Sequence, residues 1–173
     1  DPYKTSIQLL YHRYWVKPIE ARNLGTAQAI TTVSRFTAHQ VERVFGHRDL
    51  VVIPNGIDVE QTFTPGVPRS PHRPFRLLYV GNWKKLKGVD LLGPILERLG
   101  SDFDFIYTAD RTGNHLRYRL PPNARCIGRL ATHTLALAYR EADALLFPSR
   151  SEGMGLVAAE AMACGLPVIA TNV

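Results

Sequence analysis

ALLFPSRSEGMGLVAAEAMACGLPVIAT, residues 144–171, is the stretch on which the reading of this chain turns. Its first four residues form a continuous apolar run that Pro148 ends, the pattern of a strand buried on both faces. A loop holding Gly153 and Gly155 leads into a predicted helix over 155–164, closed by Gly165, and a further apolar strand is predicted over 167–170. In open parallel sheets, ligands bind outside the carboxyl ends of the strands. A helix N-terminus at that edge offers free N–H groups and a positive dipole end to an anion such as a phosphate, and glycines let the backbone come close. Glu152 lies in the loop and Glu160 a little over one turn into the helix. Carboxylates accept hydrogen bonds from sugar and ribose hydroxyls, so the two could bracket a hydroxylated ligand. A plainer reading stands beside this one. Glu152 is also an ordinary charge near a helix N-terminus, and Glu160 is also a solvated helix position. Against the latter, Ala158, Ala159, Ala161, Met162 and Ala163 are all small or apolar, so an acid among them either faces a cleft or is costly to bury.

Upstream the same alternation continues. Strands are expected over 75–80, 103–107 and 125–127, and helices over 89–99 and 132–142. Pro94 is expected to kink the first of these helices, and Leu135, Ala138 and Tyr139 mark the apolar face of the second. Residues 81–88 read as a loop, and 112–120 as a weak helix ended by Pro121-Pro122. Apolar strands separated by helices indicate an α/β fold, a Rossmann-like doubly wound parallel sheet. Residues 61–76, with four prolines and a glycine, read as a linker. Before it come a helix over 18–29 with Pro18 in its first turn, a strand over 30–33, a helix over 36–45 capped by Ser34 and stopped by Gly46, and a strand over 51–54 that ends at Asn55-Gly56.

The net charge of +6 is uneven. Residues 1–64 carry seven Lys/Arg against six Asp/Glu, and residues 65–173 fourteen against nine, so the second part holds +5. That suits a diphosphate, an anionic membrane surface or, least of the three, a nucleic acid, since no Lys/Arg run with interleaved aromatics is present. No segment approaches the roughly 18 apolar residues of a membrane span, and no amphipathic anchor or signal peptide is visible. Cys126 and Cys164 stand far apart and read as reduced residues of a cytoplasmic protein. The six histidines form no metal-ligand pair at helical spacing, so no metal is expected. Ser149 and Ser151 lack a triad context, and the G-x-G at 153–155 lacks the third glycine of a dinucleotide fingerprint. Tyr11, Tyr14 and Trp15 read as core, with a place lining an acceptor site as the alternative.

The stretch 144–171 resembles the E-x7-E signature of retaining GT-B glycosyltransferases, in particular family four, the glycosyl transferases group 1. Glu152 and Glu160 have that spacing, and AMACGLPVIAT resembles the continuation. Three further segments resemble the family in order: VVIPNGIDVEQTFTP at 51–65, RLLYVGNWKKLKGVDLL at 76–92 and NARCIGRLATHTLALAYREADALLFPS at 123–149. The resemblance implies two facing Rossmann-like domains with the substrate cleft between them. Residues 1–60 would end the acceptor-side domain, 61–76 would link, and 77–173 would form an incomplete donor domain, with the chain cut at both ends. It implies transfer of a hexose from a nucleoside diphosphate sugar, with a UDP, GDP or ADP carrier, to a sugar, lipid-linked or metabolite acceptor, without cofactor or metal. Glu160 would bond the ribose hydroxyls, and Glu152 the donor sugar. Gly153, Met154, Gly155 and Leu156 would present backbone to the diphosphate. Gly81 and Asn82 would flank it, and Lys87 would pair with it and stabilise the charge that grows as the glycosidic bond breaks. Glu152 and Lys87 are thus the expected catalytic residues, and the segment 126–130 is expected near the base. A catalytic-site histidine of the other domain would lie outside these residues.

The sequence also departs from the pattern. The family commonly has Arg where this chain has Asn82; Lys84 or Lys85 could supply charge there, but not a bidentate guanidinium. Met154 stands where Phe is frequent, and the turn at 107–111 is irregular. A non-catalytic nucleotide-binding fragment, or a sugar-nucleotide epimerase or phosphorylase of the same fold, remains the rival expectation. A lipid-linked acceptor would bring the protein to the inner face of a membrane.

Overall fold

A computed structural model describes residues 5–110 and 113–173, in two compact units that part between Asn55 and Gly56. In the first unit a helix begins at Ser6, well before the expected start at Pro18. The T-x-x-Q sequence at its head forms a capping box: Gln8 N–H donates to Thr5 Oγ1 (3.3 Å), and Thr5 N–H to Gln8 Oε1 (2.9 Å). The helix runs as α1 (Ser6–Tyr11), a π-helical turn (His12–Val16) and α2 (Lys17–Thr26). Pro18 has no N–H for the carbonyl one turn back, and the widened turn lies where that bond is missing. Then come β1 (Ile30–Thr32), α3 (Arg35–Phe45) and β2 (Leu50–Val52), the two strands pairing in parallel. Ser34 caps α3 as expected, accepting from Thr37 N–H at 3.1 Å. Tyr11, Tyr14 and Trp15 are not core: they are 62%, 63% and 65% exposed. Two short strands and one further helix offer too little surface to bury them.

The second unit is a five-stranded parallel sheet: β3 (Phe75–Tyr79), β4 (Phe103–Tyr107), β5 (Ala124–Cys126), β6 (Ala144–Phe147) and β7 (Val168–Ala170). Their spatial order is β5-β4-β3-β6-β7. The chain therefore steps outward from β3 through β4 to β5, then returns to the other side of β3 for β6 and β7. Helices α4 (Val89–Leu99), α5 (Thr132–Glu141) and α6 (Leu156–Ala163) cover the two faces. Alternation along β3 sorts the core. Leu77 and Tyr79 pack with Val89, Leu92 and Leu96 of α4, while Leu78 and Val80 pack with Ala136 and Tyr139 of α5 and Ala161 of α6. Pro94 sits inside α4 without ending it. Of the expected weak helix at 112–120, a 3-10 turn (Asn114–Arg117) forms, and residue 112 lies outside the described residues.

The proline-rich stretch 61–76 is fastened along this second unit. Phe63 is 5% exposed, its ring 6.2 Å from that of Tyr139. The Arg140 guanidinium donates to the carbonyls of Thr62 and Thr64 and to Thr64 Oγ1, each at 2.8 Å. Asp143 gathers Arg69 Nη1 (2.6 Å), Arg76 N–H (2.8 Å), His72 N–H (3.0 Å) and His72 Nδ1 (3.1 Å). Burial would raise the Asp143 pKa, but these donors overbalance it and hold the carboxyl down at about 2. Among the described residues no helix is long and apolar enough to cross a membrane.

Candidate functional site

Because the chain reverses direction between β3 and β6, the loops leaving the carboxyl ends of those neighbouring strands diverge and open a crevice, the switch point at which such sheets bind ligands. Residues 80–88 follow β3, and 148–155 follow β6. Both loops are bound to each other. Gly88 has a left-handed backbone (φ 70°), and a Cβ there would stand 1.8 Å from the carbonyl oxygen of Pro148. Arg150 N–H donates to the carbonyl of Leu86 at 2.9 Å. Its guanidinium reaches the carbonyl of Lys85 (2.6 Å) and grips Asp90, in the first turn of α4, through Oδ1 (2.5 Å) and Oδ2 (2.9 Å). That fork holds the Asp90 carboxyl below its ordinary pKa.

Within this frame Lys87 and Glu152, separate expectations in the sequence, meet. Lys87 Nζ donates to both oxygens of Glu152, at 2.7 and 2.8 Å. Ser149, 1% exposed, donates its hydroxyl to Glu152 Oε1 at 2.6 Å, and its own carbonyl accepts from Thr171 Oγ1. Ser149 is therefore a support for the carboxylate, consistent with the absence of a triad context in the sequence. Gly153 and Met154 continue the loop, and Gly155 (φ 73°) caps α6 at Leu156. Met154 is 37% exposed.

Glu160 is half-buried on α6, and its Oε2 accepts from the hydroxyl of Tyr139 at 2.9 Å. Burial raises the Glu160 pKa, and the tyrosine bond opposes that rise. Tyr139 was legible from the sequence as an apolar-face residue of α5; its hydroxyl contact was not.

On the β4 and β5 side a cleft of about 270 Å³ opens between Gly81 and Asn82, Thr108 and Asp110, and Arg129 and Leu130. The backbone at Gly81–Asn82 is set by tyrosine and tryptophan. Tyr79 OH donates to the carbonyl of Asn82 (3.1 Å), Gly81 N–H donates to Thr108 Oγ1 (3.3 Å), and buried Trp83 donates its Nε1–H to the carbonyl of Thr108 (2.7 Å). Trp83 also meets Tyr107 edge-on at 4.9 Å. The sequence reading passed over Trp83, whose large indole in a charged loop was the available signal. The expected base-side segment 126–130 thus contributes Arg129 and Leu130 to the same cleft as Gly81 and Asn82. Lys84 and Lys85 are exposed. Among the described residues no three His, Cys, Asp or Glu side chains gather as a metal site requires.

Residues 74–173 match the family described as Glycosyl transferases group 1, and residues 2–61 match Glycosyltransferase Family 4. The chain belongs to the group 1 glycosyltransferases. Among its relatives, a D-inositol 3-phosphate glycosyltransferase of Xylanimonas cellulosilytica is 32% identical over 179 residues, covering 89% of this chain and 43% of that protein. A glycogen synthase of Mycobacterium tuberculosis is 31% identical over 176 residues, covering 91% of this chain and 41% of that one. The chain thus spans less than half the length of these relatives. Of solved structures, a sucrose-phosphate synthase from Thermosynechococcus elongatus superposes with a TM-score of 0.76 at 25% identity, covering 91% of this chain and 44% of that one. HepE of Anabaena, solved in complex with UDP and glucose, superposes with a TM-score of 0.71 at 19% identity over 89% of this chain and 47% of that one, a likeness of fold. The parallel five-stranded sheet of this chain is the Rossmann-like, doubly wound fold expected of a GT-B enzyme.

Proposed function

We propose that these residues form the donor-binding part of a hexosyltransferase that takes its sugar from a nucleoside diphosphate and retains the anomeric configuration. The observation that carries the reading is the Lys87–Glu152 pair, held at 2.7 and 2.8 Å at the switch point of the sheet. A lysine and a carboxylate so placed serve two ends of one donor. The diphosphate competes for the ammonium, and the carboxylate so released accepts hydroxyls of the sugar. As the glycosidic bond breaks, charge grows on the departing diphosphate, and Lys87 with the N-terminal N–H groups of α6 at Leu156 meets it without a metal. Glu160 takes the ribose hydroxyls, and the cleft at Gly81, Asn82 and Arg129 takes the rest of the nucleotide. UDP is the first carrier to try, because UDP and glucose occupy the Anabaena relative. The acceptor is a sugar, a lipid-linked sugar or a metabolite; the +5 charge of residues 65–173 suits peripheral contact with the inner face of a membrane if it is lipid-linked.

The test is calorimetric titration of the chain with UDP, GDP and ADP, alongside Glu160→Ala and Lys87→Ala. One nucleotide should bind, Glu160→Ala should abolish it, and Lys87→Ala should weaken it while lessening its dependence on salt. A folded chain indifferent to all three nucleotides would sink the assignment.

A further inference from the structure

Tyr139 presents a question that the donor site does not answer. Its side chain is fully buried in the core cluster that α5 and α6 share, with Ala161 of α6, and its ring lies 6.2 Å from that of Phe63. A buried phenol needs a partner, and the one it has is the single acid of that helix: the hydroxyl donates to Glu160 Oε2 at 2.9 Å. A phenylalanine would fill the same space. The hydroxyl therefore serves the carboxylate rather than the packing.

We propose that Tyr139 is a positioning residue for donor binding: its hydroxyl fixes Oε2 of Glu160, orienting the carboxylate so that Oε1 is the acceptor for ribose hydroxyls of a nucleoside diphosphate. This rests on the reading of Glu160 given above. The surroundings favour such a device. Glu160 is half-buried, so without a donor it would drift toward the protonated form, which accepts hydroxyls less well. The other groups around it do little to hold its charge. Arg140, next on α5, is engaged by Thr62 and Thr64, and Cys164 at the end of α6 is a thiol whose own pKa burial pushes up. Glu152, ahead of the helix, is neutralised by Lys87. Strands β6 and β7, against which α6 packs, carry no titratable side chain.

The experiment has two arms. In the first, the carboxyl carbon of Glu160 is titrated by NMR in the unsubstituted chain and in Tyr139→Phe. The midpoint should rise by about one pH unit on losing a hydrogen bond to a charged group. In the second, UDP, GDP and ADP are titrated across pH 5 to 8. The nucleotide that binds should bind Tyr139→Phe roughly three- to tenfold more weakly, with the difference gone in a Glu160→Gln background. In the unsubstituted chain the acid limb of affinity should follow the Glu160 midpoint, a reading that needs no folded variant. An unmoved midpoint, an equal Kd, or an acid limb unrelated to Glu160 overturns the proposal. If no nucleotide binds the unsubstituted chain while the midpoint still moves, the donor-site reading falls, and Tyr139 is then a structural partner only.

Discussion

Asp143→Asn isolates one carboxylate charge. The side chain is 3% exposed and accepts from Arg69, Arg76 and His72. Its folded pKa of about 2 lies below the ordinary 3.8 because those donors outweigh burial. A depressed carboxylate stabilises the fold above its unfolded pKa, and the contribution is lost as pH falls through the folded value. At about 1.4 kcal/mol per unit, the charge contributes about 2 kcal/mol at pH 7, and by pH 3 about half of that remains. Asparagine keeps the size and shape but turns an N–H₂ toward groups that themselves donate. Urea unfolding followed by Trp83 fluorescence, with Trp15→Phe to silence the first unit, should show the variant less stable by about 2 kcal/mol at pH 7, with a gap that narrows as pH approaches 3. A gap that does not change with pH, or one below roughly 0.5 kcal/mol at neutrality, would refute the reasoning.

Two further substitutions probe the loops at the switch point. Gly88→Ala places a methyl group on the Pro148 carbonyl in a left-handed backbone, so it should cost about 3 kcal/mol and part Lys87 from Glu152; calorimetric melting and nucleotide titration would register both, and a near-normal melting temperature would count against the contact. Arg150→Lys keeps the charge but cannot grip both Asp90 oxygens and the Lys85 carbonyl; because the pair is partly exposed, stability should fall by only about 1 kcal/mol while nucleotide affinity drops several-fold, and an unchanged Kd would show that Gly88 and the backbone of Arg150 hold the loop by themselves.

The second unit was legible because its inner strands β3 and β6 are largely buried, which leaves unbroken apolar runs such as LLYV and ALLF between turn signals. Boundaries shifted by a residue or two at strand ends: the strand expected over 51–54 is β2 (Leu50–Val52), where the Ile53 N–H still donates to the carbonyl of Thr32 at 2.8 Å although β1 itself ends there. The second half of the long first helix was legible from Pro18 onward, but its first half was missed because the start depends on a threonine–glutamine cap rather than on apolar periodicity, and its aromatic face is exposed. In the site, local pattern marked Glu152, Glu160 and the glycines. The partners were invisible because they come from afar in sequence: Lys87 with Glu152, Asp90 with Arg150, Tyr139 with Glu160. No local signal encodes such pairs. Only the topology brings them together.

The return of the chain from β5 to the far side of β3 has a consequence for how the protein folds. Strands β3, β4 and β5 can zip up in sequence, each beside the one just made. The crevice exists only after β6 closes across that whole excursion, a contact that joins Lys87 to Glu152 over 65 residues. Such distant closures come late, since their entropy must be spent before their contacts form. The crevice is therefore acquired late in folding, and anything that enters it meets a chain whose β6 has already joined β3.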